Sequence, residues 1–273
     1  MFALLNVVTY AQTIEETMHV PVIVHKTDGS QFTQQLILTV VRSEFSKSSP
    51  FILLLHGRPE SPVRFAVMGQ VRYPVNAEYF VSKGFVVLIP TRVGYGLTGG
   101  PDVEYTGECD AKDSQRGMIP IVDETQQILT YFKNMPYVDT SRGLVFGESF
   151  GGVGAIALGS SGLQAIKGAI NISGGDGGSL DHLEQPCQPD RLKATFASYG
   201  KSNQIATLWM YSLNDRFWGV DHPRAWFSAF VKAGGNGEFA SLPADKNNGH
   251  YIFTRNTEAW HPAFEAFIHK LNF

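Results

Sequence analysis

The chain has 273 residues, with 22 Lys and Arg against 25 Asp and Glu, so its formal net charge is −3. Charged residues make up 17% of it, below the roughly 25% of an average soluble protein, and hydrophobic residues make up 43%. This composition excludes a disordered chain and a coiled coil, and without a basic run or a long apolar stretch it argues against nucleic acid or a membrane as partner.

The N-terminus allows two interpretations. Residues 1–12 are apolar and contain Thr9-Tyr10-Ala11, which suits signal-peptidase cleavage, but the first Lys or Arg is Lys26. The segment is therefore either a shortened signal peptide or a hydrophobic leader or edge strand. We expect a leader over residues 1–15 and a single domain over residues 16–273. Export to the periplasm or the medium is one alternative for its location, and the cytoplasm is the other.

The first half of the chain predicts strands joined by short turns. Residues 19–24 and 32–41 read as two strands around the turn Asp28-Gly29. The continuous apolar run at 51–55 is typical of a strand buried on both faces of a parallel sheet. A helix at 76–83, a strand at 85–89, a helix that starts at Pro120 and a strand at 143–146 follow.

The second half continues the alternation. We expect strands at 169–172, 205–211 and 239–242. We expect helices at 152–158 and 190–198, a helix that starts at Asp221, and a closing helix around Phe264 and Phe267. Buried strands alternating with amphipathic helices predict an α/β fold with a mostly parallel central sheet and helices on both faces. Two long loops, about 92–118 and 173–188, follow strand ends, where such sheets bind ligands.

Each of these loops contains one of the two cysteines, Cys109 and Cys187. They lack the CxxC spacing of a zinc site and lie in polar, Gly- and Pro-rich segments. A disulfide between the loops would favour an exported protein, whereas two reduced thiols are the alternative.

The segment Gly147-Glu148-Ser149-Phe150-Gly151 is a G-x-S-x-G pattern between a predicted strand and a predicted helix. A nucleophile on so sharp a turn needs small residues two positions before and after it, because a Cβ there would meet the neighbouring backbone. This setting predicts that Ser149 is a nucleophile. The alternative is a serine that caps the helix.

Candidates for an acid and a base follow Ser149 in order. Asp215 lies just past a predicted strand and His250 lies between the last predicted strand and helix. The order Ser, Asp, His is the one found around the nucleophile elbow of hydrolases. The alternatives are a turn residue for Asp215 and a solvated loop residue for His250, with His56 as the nearest competing histidine.

Acyl transfer also requires hydrogen-bond donors for the oxyanion. His56-Gly57-Arg58 follows the strand at 51–55, and the backbone N–H groups of Arg58 and Phe150 are the candidates. Pro59 has no N–H to donate. Gly94-Tyr95-Gly96-Leu97-Thr98-Gly99 matches a dinucleotide motif, but Pro101 follows where a helix should begin. We expect no organic cofactor and no metal.

The segments LLLHGRP, PTRVGYGLTGG, GESFGG, YSLNDRFW and NNGHYIF, in this order, resemble the α/β-hydrolase superfamily from about residue 48 to the C-terminus. The chain is most similar to the dienelactone hydrolase-related and prolyl-oligopeptidase-like branches. The resemblance implies that Ser149 is the nucleophile, His250 the general base and Asp215 the residue that orients it. Dienelactone hydrolases use Cys at the elbow, so Ser here favours ordinary ester hydrolysis. Glu148 resembles the buried supporting acid of the carboxylesterase elbow.

Three functions follow from this reasoning. The first is a serine esterase for small esters, with Phe217, Trp218 and Tyr251 either lining a substrate pocket or packing the catalytic loops. The second is a serine peptidase of the prolyl-oligopeptidase type, although we see no propeller-sized segment before the catalytic region. The third is a non-catalytic binder. The expected partner is a small ester, and the chain is expected to be a monomer or a homodimer.

Overall fold

A single mixed sheet organises the part of the chain that the computed structural model describes, residues 12–26 and 28–273. Its eight strands lie in the order β1-β2-β4-β3-β5-β6-β7-β8. The first two strands pair antiparallel, β2 pairs antiparallel with β4, and all later pairs are parallel. The strands are β1 Thr13–His25, β2 Gln31–Ser43, β3 Ser49–Leu55, β4 Val86–Thr91, β5 Val138–Glu148, β6 Ile166–Ile172, β7 Ala206–Ser212 and β8 Gly237–Leu242.

Helices connect the parallel strands and cover both faces of the sheet. They are α1 Pro62–Ala66, α2 Pro74–Ser82, α3 Ser114–Phe132, α4 Phe150–Gly159, α5 Pro189–Ser202, α6 Asp221–Lys232, α7 Ile252–Arg255 and α8 His261–Lys270. In these described residues no helix is both long and apolar enough to cross a membrane.

Alternate side chains of the central strands pack into two separate hydrophobic cores. In β3, Phe51, Leu53 and Leu55 point into the core that α3, α4, α5 and α6 cover. Ile52 and Leu54 point into the opposite core, under α2 and α8. Because successive strand residues face opposite sides of a sheet, a strand covered on both faces must be apolar throughout. The predicted α/β class is therefore confirmed, and the apolar run at 51–55 has this cause.

The sheet begins at Thr13, three residues before the expected domain start at residue 16. Thr13, Ile14 and Glu15 pair with Ser43, Arg42 and Val41 of β2. The expected signal or leader segment over residues 1–11, with its cleavage site at Thr9-Tyr10-Ala11, lies outside the described residues.

The helix expected to start at Pro120 begins at Ser114 instead, and Pro120 lies inside it. Proline has no N–H to donate to the preceding turn, which disfavours it inside a helix. Contacts far along the chain fix the first turn nevertheless. The Ser114 hydroxyl donates to Asp176 at 2.9 Å, and a Cβ on Gly117 would lie 2.8 Å from the Phe150 ring. Tertiary packing therefore overrides the local signal at this helix start.

The glycine-rich segment 94–99 is a tight loop after β4. Its residue Gly96 has φ +45° and approaches the backbone of Gly69 so closely that a Cβ would overlap the Gly69 carbonyl. The N–H of Gly96 donates to Phe65 at 2.8 Å. These glycines thus allow backbone-to-backbone packing of two loops.

Candidate active site

Ser149 lies on a strained turn between β5 and α4. Its φ is 54° and its ψ is −122°, a conformation that a residue with a side chain adopts only when its surroundings enforce it. A Cβ on Gly147 would overlap the Gly151 carbonyl, and a Cβ on Gly151 would overlap Leu55. The two glycines therefore permit the turn that exposes the serine hydroxyl at the end of β5.

The structure brings Ser149, His250 and Asp215 together. The Nε2 atom of His250 lies 3.1 Å from the Ser149 hydroxyl, and its Nδ1 atom lies 3.0 Å from Asp215 Oδ2. Asp215 is fully buried, and His250 is 4% exposed. With the ring proton on Nδ1, facing the carboxylate, Nε2 is free to accept the serine proton. The arrangement can thus activate a hydroxyl as a nucleophile.

Backbone donors hold the carboxylate of Asp215 in this position. Its Oδ1 atom accepts hydrogen bonds from the N–H groups of Phe217 at 2.9 Å and Trp218 at 3.3 Å. The side chain is thereby oriented from behind, and both of its oxygens lie near His250 Nδ1, Oδ2 at 3.0 Å and Oδ1 at 3.2 Å. Asp215 is thus a turn residue that accepts from the backbone two and three positions further on, and it also contacts the histidine.

Asn248 ties the acid turn to the histidine loop, a role that the sequence reasoning did not assign. Its side-chain oxygen accepts from the N–H of His250 at 3.0 Å and from the N–H of Arg216 at 3.1 Å. One acceptor thus fixes both loops relative to each other. An Asn two residues before a loop histidine is a signal for such a local turn.

The three aromatic residues predicted near the site surround the histidine ring. Phe217 stacks on His250 with ring centroids 4.2 Å apart, and Trp218 and Tyr251 meet it edge-on. Trp218 also donates from its indole nitrogen to Ser173 at 2.7 Å. All three border cavities beside Ser149, so they both line the site and pack its loops.

The competing histidine, His56, is hydrogen-bonded to backbone groups of the loops after β3 and β4. Its Nε2 atom accepts from the backbone N–H of Arg92 at 3.2 Å, and Nδ1 lies 2.6 Å from Gly57 O. Burial and the neighbouring Arg92 guanidinium lower its pKa well below the usual range. The ring therefore stays neutral and anchors the loop after β3.

The loop after β3 lies against the nucleophile. A Cβ on Gly57 would be 3.1 Å from the Ser149 Cβ. The Arg58 guanidinium donates to both carboxylate oxygens of Asp102, at 2.9 and 2.5 Å, and to the Tyr95 hydroxyl at 2.7 Å. These bonds anchor the residue whose backbone N–H is the predicted oxyanion donor.

Glu148, the residue before the nucleophile, accepts a hydrogen bond from the Tyr73 hydroxyl at 2.9 Å. Burial raises the pKa of this carboxyl, while the bond from Tyr73 and the proximity of His250 oppose the rise. The side chain is 9% exposed. It fits the supporting position that the resemblance implied for it.

Two cavities meet at Ser149. The large cavity, of about 340 Å³, is bordered by His250, Tyr251, Glu148 and Tyr73. The small cavity, of about 130 Å³, is bordered by Arg58, Phe150, Trp218, Gly178, Asp176 and Lys112. A substrate bonded to Ser149 can therefore extend in two directions.

The outer wall of the small cavity is cross-linked. Cys109 and Cys187 form a disulfide with Cα atoms 5.0 Å apart. The N–H of Cys187 donates to Gly177 at 2.8 Å, and Gly177 borders the small cavity. The two long loops are thus joined where they close over the site.

No group of three or more His, Cys, Asp or Glu side chains within residues 12–26 and 28–273 has the arrangement of a metal site. Near Ser149, Arg58 is paired with Asp102, and Glu148 accepts from the Tyr73 hydroxyl. The described site therefore offers no set of residues suited to hold a metal ion.

Comparison with known proteins gives one curated sequence relative and many similar folds. The relative is "Probable dipeptidyl-peptidase 5" of Aspergillus terreus, 32% identical over 119 residues. The match covers 44% of this chain but only 15% of that protein. No protein-family model matches the chain.

Two solved structures cover nearly all of the chain. The acetyl xylan esterase from Paenibacillus sp. R4 has a TM-score of 0.60 and 17% identity, covering 94% of this chain and 89% of that one. A "Putative Dienelactone Hydrolase" from Klebsiella pneumoniae subsp. pneumoniae has a TM-score of 0.62 and 15% identity, with 94% and 97% covered. The expected α/β-hydrolase fold is confirmed.

Proposed function

We propose that this chain is a serine hydrolase that cleaves small carboxylic esters through an acyl-enzyme on Ser149. The observation that carries the proposal is the line of contacts from Ser149 through His250 to Asp215, at 3.1 and 3.0 Å, beside two cavities. A strained serine, a buried histidine and a buried carboxylate in this order can do the work of the hydrolase triad.

The first half of the reaction forms the acyl-enzyme. His250 Nε2 takes the proton of the Ser149 hydroxyl as its oxygen attacks the acyl carbon. The N–H groups of Arg58 and Phe150 would donate to the resulting oxyanion, and Asp215 stabilises the charged imidazole ring. The tetrahedral intermediate then expels the alkoxide, which takes the proton from Nε2 and leaves as an alcohol.

The second half returns the enzyme to its starting state. A water molecule gives its proton to His250 as its oxygen attacks the acyl carbon of the ester on Ser149. The second tetrahedral intermediate expels the Ser149 oxygen, which recovers the proton from Nε2. The products are one carboxylic acid and one alcohol, so the atoms balance without a cofactor.

Hydrolysis of small peptides is the second candidate, and the similarity to the Aspergillus peptidase favours it. The same residues can attack an amide, but the amine leaving group needs protonation before it departs. The ester proposal rests on the shape of the site and on the fold shared with an esterase along most of both chains. The Cys109–Cys187 disulfide supports work in an oxidising compartment.

Labelling with a fluorophosphonate, read by intact mass, tests the proposal. The wild type should gain one phosphonyl group, and Ser149→Ala should gain none. Matched ester and amide substrates with the same acyl group then separate the two candidates, because an esterase should cleave only the ester at a useful rate. A folded wild type that remains unlabelled would instead favour the non-catalytic binder.

A further inference from the structure

The two cavities beside Ser149 differ in the catalytic groups that border them. Arg58, one of the two proposed oxyanion donors, borders both cavities, whereas Phe150, the other donor, borders only the small cavity of the two. His250 borders the large cavity and not the small one. Each cavity therefore suits a different part of a bound ester.

The chemistry of acyl transfer indicates which part of the ester enters each cavity. The leaving oxygen must lie next to His250 Nε2, because that atom protonates it as it departs. The leaving group then extends into the large cavity. The acyl chain points the other way, past the oxyanion donors, and enters the small cavity.

The small cavity favours a short acyl chain. Its volume of about 130 Å³ is less than half of the about 340 Å³ of the large cavity. Gly178 closes the wall against an indole, because a Cβ there would lie 2.6 Å from Trp218.

Four charged residues border the small cavity, and two of them with opposite charge, Asp176 and Lys112, come from the two long loops. Asp176, 6% exposed, accepts from Ser114 through Oδ2, while its Oδ1 atom lies 3.9 Å from the Lys112 ammonium. That distance is too long for a hydrogen bond. Lys112 donates to Thr106 at 3.2 Å and has further N–H groups to offer. Among the described residues, Asp176 Oδ1 and the remaining N–H groups of Lys112 have no other hydrogen-bond partner, and they lie side by side as an ion pair.

A neutral group that both donates and accepts matches this pair better than a charge does. A cation would be attracted to Asp176 but repelled by Lys112, and an anion would meet the reverse. A hydroxyl can donate to Asp176 Oδ1 and accept from Lys112 Nζ at once, which satisfies a buried carboxylate and a half-buried ammonium.

We propose that the small cavity holds the acyl group of the substrate and selects a short chain bearing a hydroxyl, bound between Asp176 and Lys112. The inference rests on the proposed serine hydrolase activity. Asp176 and Lys112 are then specificity-determining residues that do not touch the reacting atoms.

Two esters with one leaving group test the proposal. The 4-nitrophenyl esters of 3-hydroxybutanoate and 3-methylbutanoate have the same shape and differ by a hydroxyl in place of a methyl. We expect kcat/KM of the wild type to favour the hydroxy ester by about tenfold, as two hydrogen bonds to charged groups allow. Both enantiomers of the hydroxy ester are measured.

Two variants and one control locate the effect. Lys112→Met removes the donor, and Asp176→Asn removes the negative charge while keeping an oxygen for Ser114. Each should lower the hydroxy-to-methyl ratio to about two or less, with the fold checked by the unfolding temperature. Thr254→Val changes the border of the large cavity and should leave the ratio as in the wild type.

The outcomes distinguish the hydroxyl-subsite proposal from the serine hydrolase proposal on which it rests. A wild-type ratio near one, or a ratio that neither Lys112→Met nor Asp176→Asn lowers, overturns the hydroxyl subsite while fluorophosphonate labelling of Ser149 still supports the hydrolase. If neither ester is cleaved and Ser149 stays unlabelled, the hydrolase proposal falls and the subsite falls with it.

Discussion

The three triad residues and the wall of the small cavity are held in place by different means. Ser149, Asp215 and His250 lie shortly after β5, β7 and β8, and hydrogen bonds of 2.9–3.3 Å fix them among buried neighbours. The outer part of this wall consists of parts of two long loops, 92–113 and 173–188. It is held by the Cys109–Cys187 disulfide and by the ion pair of Lys112 with Asp176 at 3.9 Å.

This difference separates two properties of the protein. The triad residues follow strands of the sheet and are hydrogen-bonded among buried neighbours, so we expect them to be held more rigidly than the wall. Loops can change with little effect on the sheet, and binding residues are often placed on them. Substitutions in the triad should therefore change the rate of hydrolysis. Substitutions in the wall should change substrate preference and stability.

The largest expected effect is at the triad. Ser149→Ala removes the nucleophile and should lower kcat by a factor of about 10⁴ or more, while the unfolding temperature stays near that of the wild type. Steady-state kinetics on a 4-nitrophenyl ester, with differential scanning fluorimetry on the same samples, measures both. Residual activity within tenfold of the wild type would mean that another residue performs the attack.

A buried carboxyl at the base of the first loop should make stability depend on pH. Glu124 accepts from the N–H of Val93 at 3.0 Å, and burial, reinforced by the nearby Glu104 charge, raises its pKa from 4.5 to about 8. A raised pKa means that its favourable contribution is complete below pH 4.5 and is lost as pH rises towards 8. This difference in pKa corresponds to roughly 4–5 kcal/mol in the free energy of unfolding.

Urea unfolding between pH 5 and 9 checks this expectation. Glu124→Gln imitates the protonated side chain, so its stability should fall less than that of the wild type over this range. Glu78→Gln removes an exposed carboxyl and serves as the control. Parallel pH profiles for the wild type and Glu124→Gln would show that the Glu124 proton does not contribute.

The cross-link of the wall should contribute next. The double variant Cys109→Ser/Cys187→Ser is expected to lose about 2–4 kcal/mol in the free energy of unfolding, because its unfolded chain is less restricted. Ser149 should still react with a fluorophosphonate, since the triad does not depend on the disulfide. A reducing agent should destabilise the wild type and leave the double variant unchanged. Loss of labelling in the folded double variant would contradict the separation of the two regions.

The smallest expected effect is at the bond between the two triad loops. Asn248→Ala removes the acceptor shared by His250 and Arg216 and should lower kcat by about tenfold, the effect of one hydrogen bond of ~1.4 kcal/mol. Asn248→Asp keeps the acceptor and should retain most of the activity. Equal losses in the two variants would show that Asn248 acts through packing rather than through this bond.

The alternation of buried strands and amphipathic helices could be predicted from the sequence because each element follows from its own residues. The apolar run at 51–55 is explained by a strand covered on both faces, and the small residues around Ser149 are explained by one sharp turn. Hydrophobic periodicity and local steric constraints act over a few residues, so the sequence alone reveals them. The order Ser149, Asp215, His250 along the chain is likewise visible in the sequence.

Features that depend on contacts between residues far apart in the chain are visible only in the folded structure. The helix start at Ser114 is fixed by Asp176 against the signal of Pro120. The division of the site into two cavities and the approach of Lys112 to Asp176 follow from how two loops fold over the sheet. No local pattern encodes such contacts, because their energy is gained only once the chain has closed. The local pattern of the chain thus indicated the candidate catalytic residues, and the packing of the loops set the surroundings in which they lie.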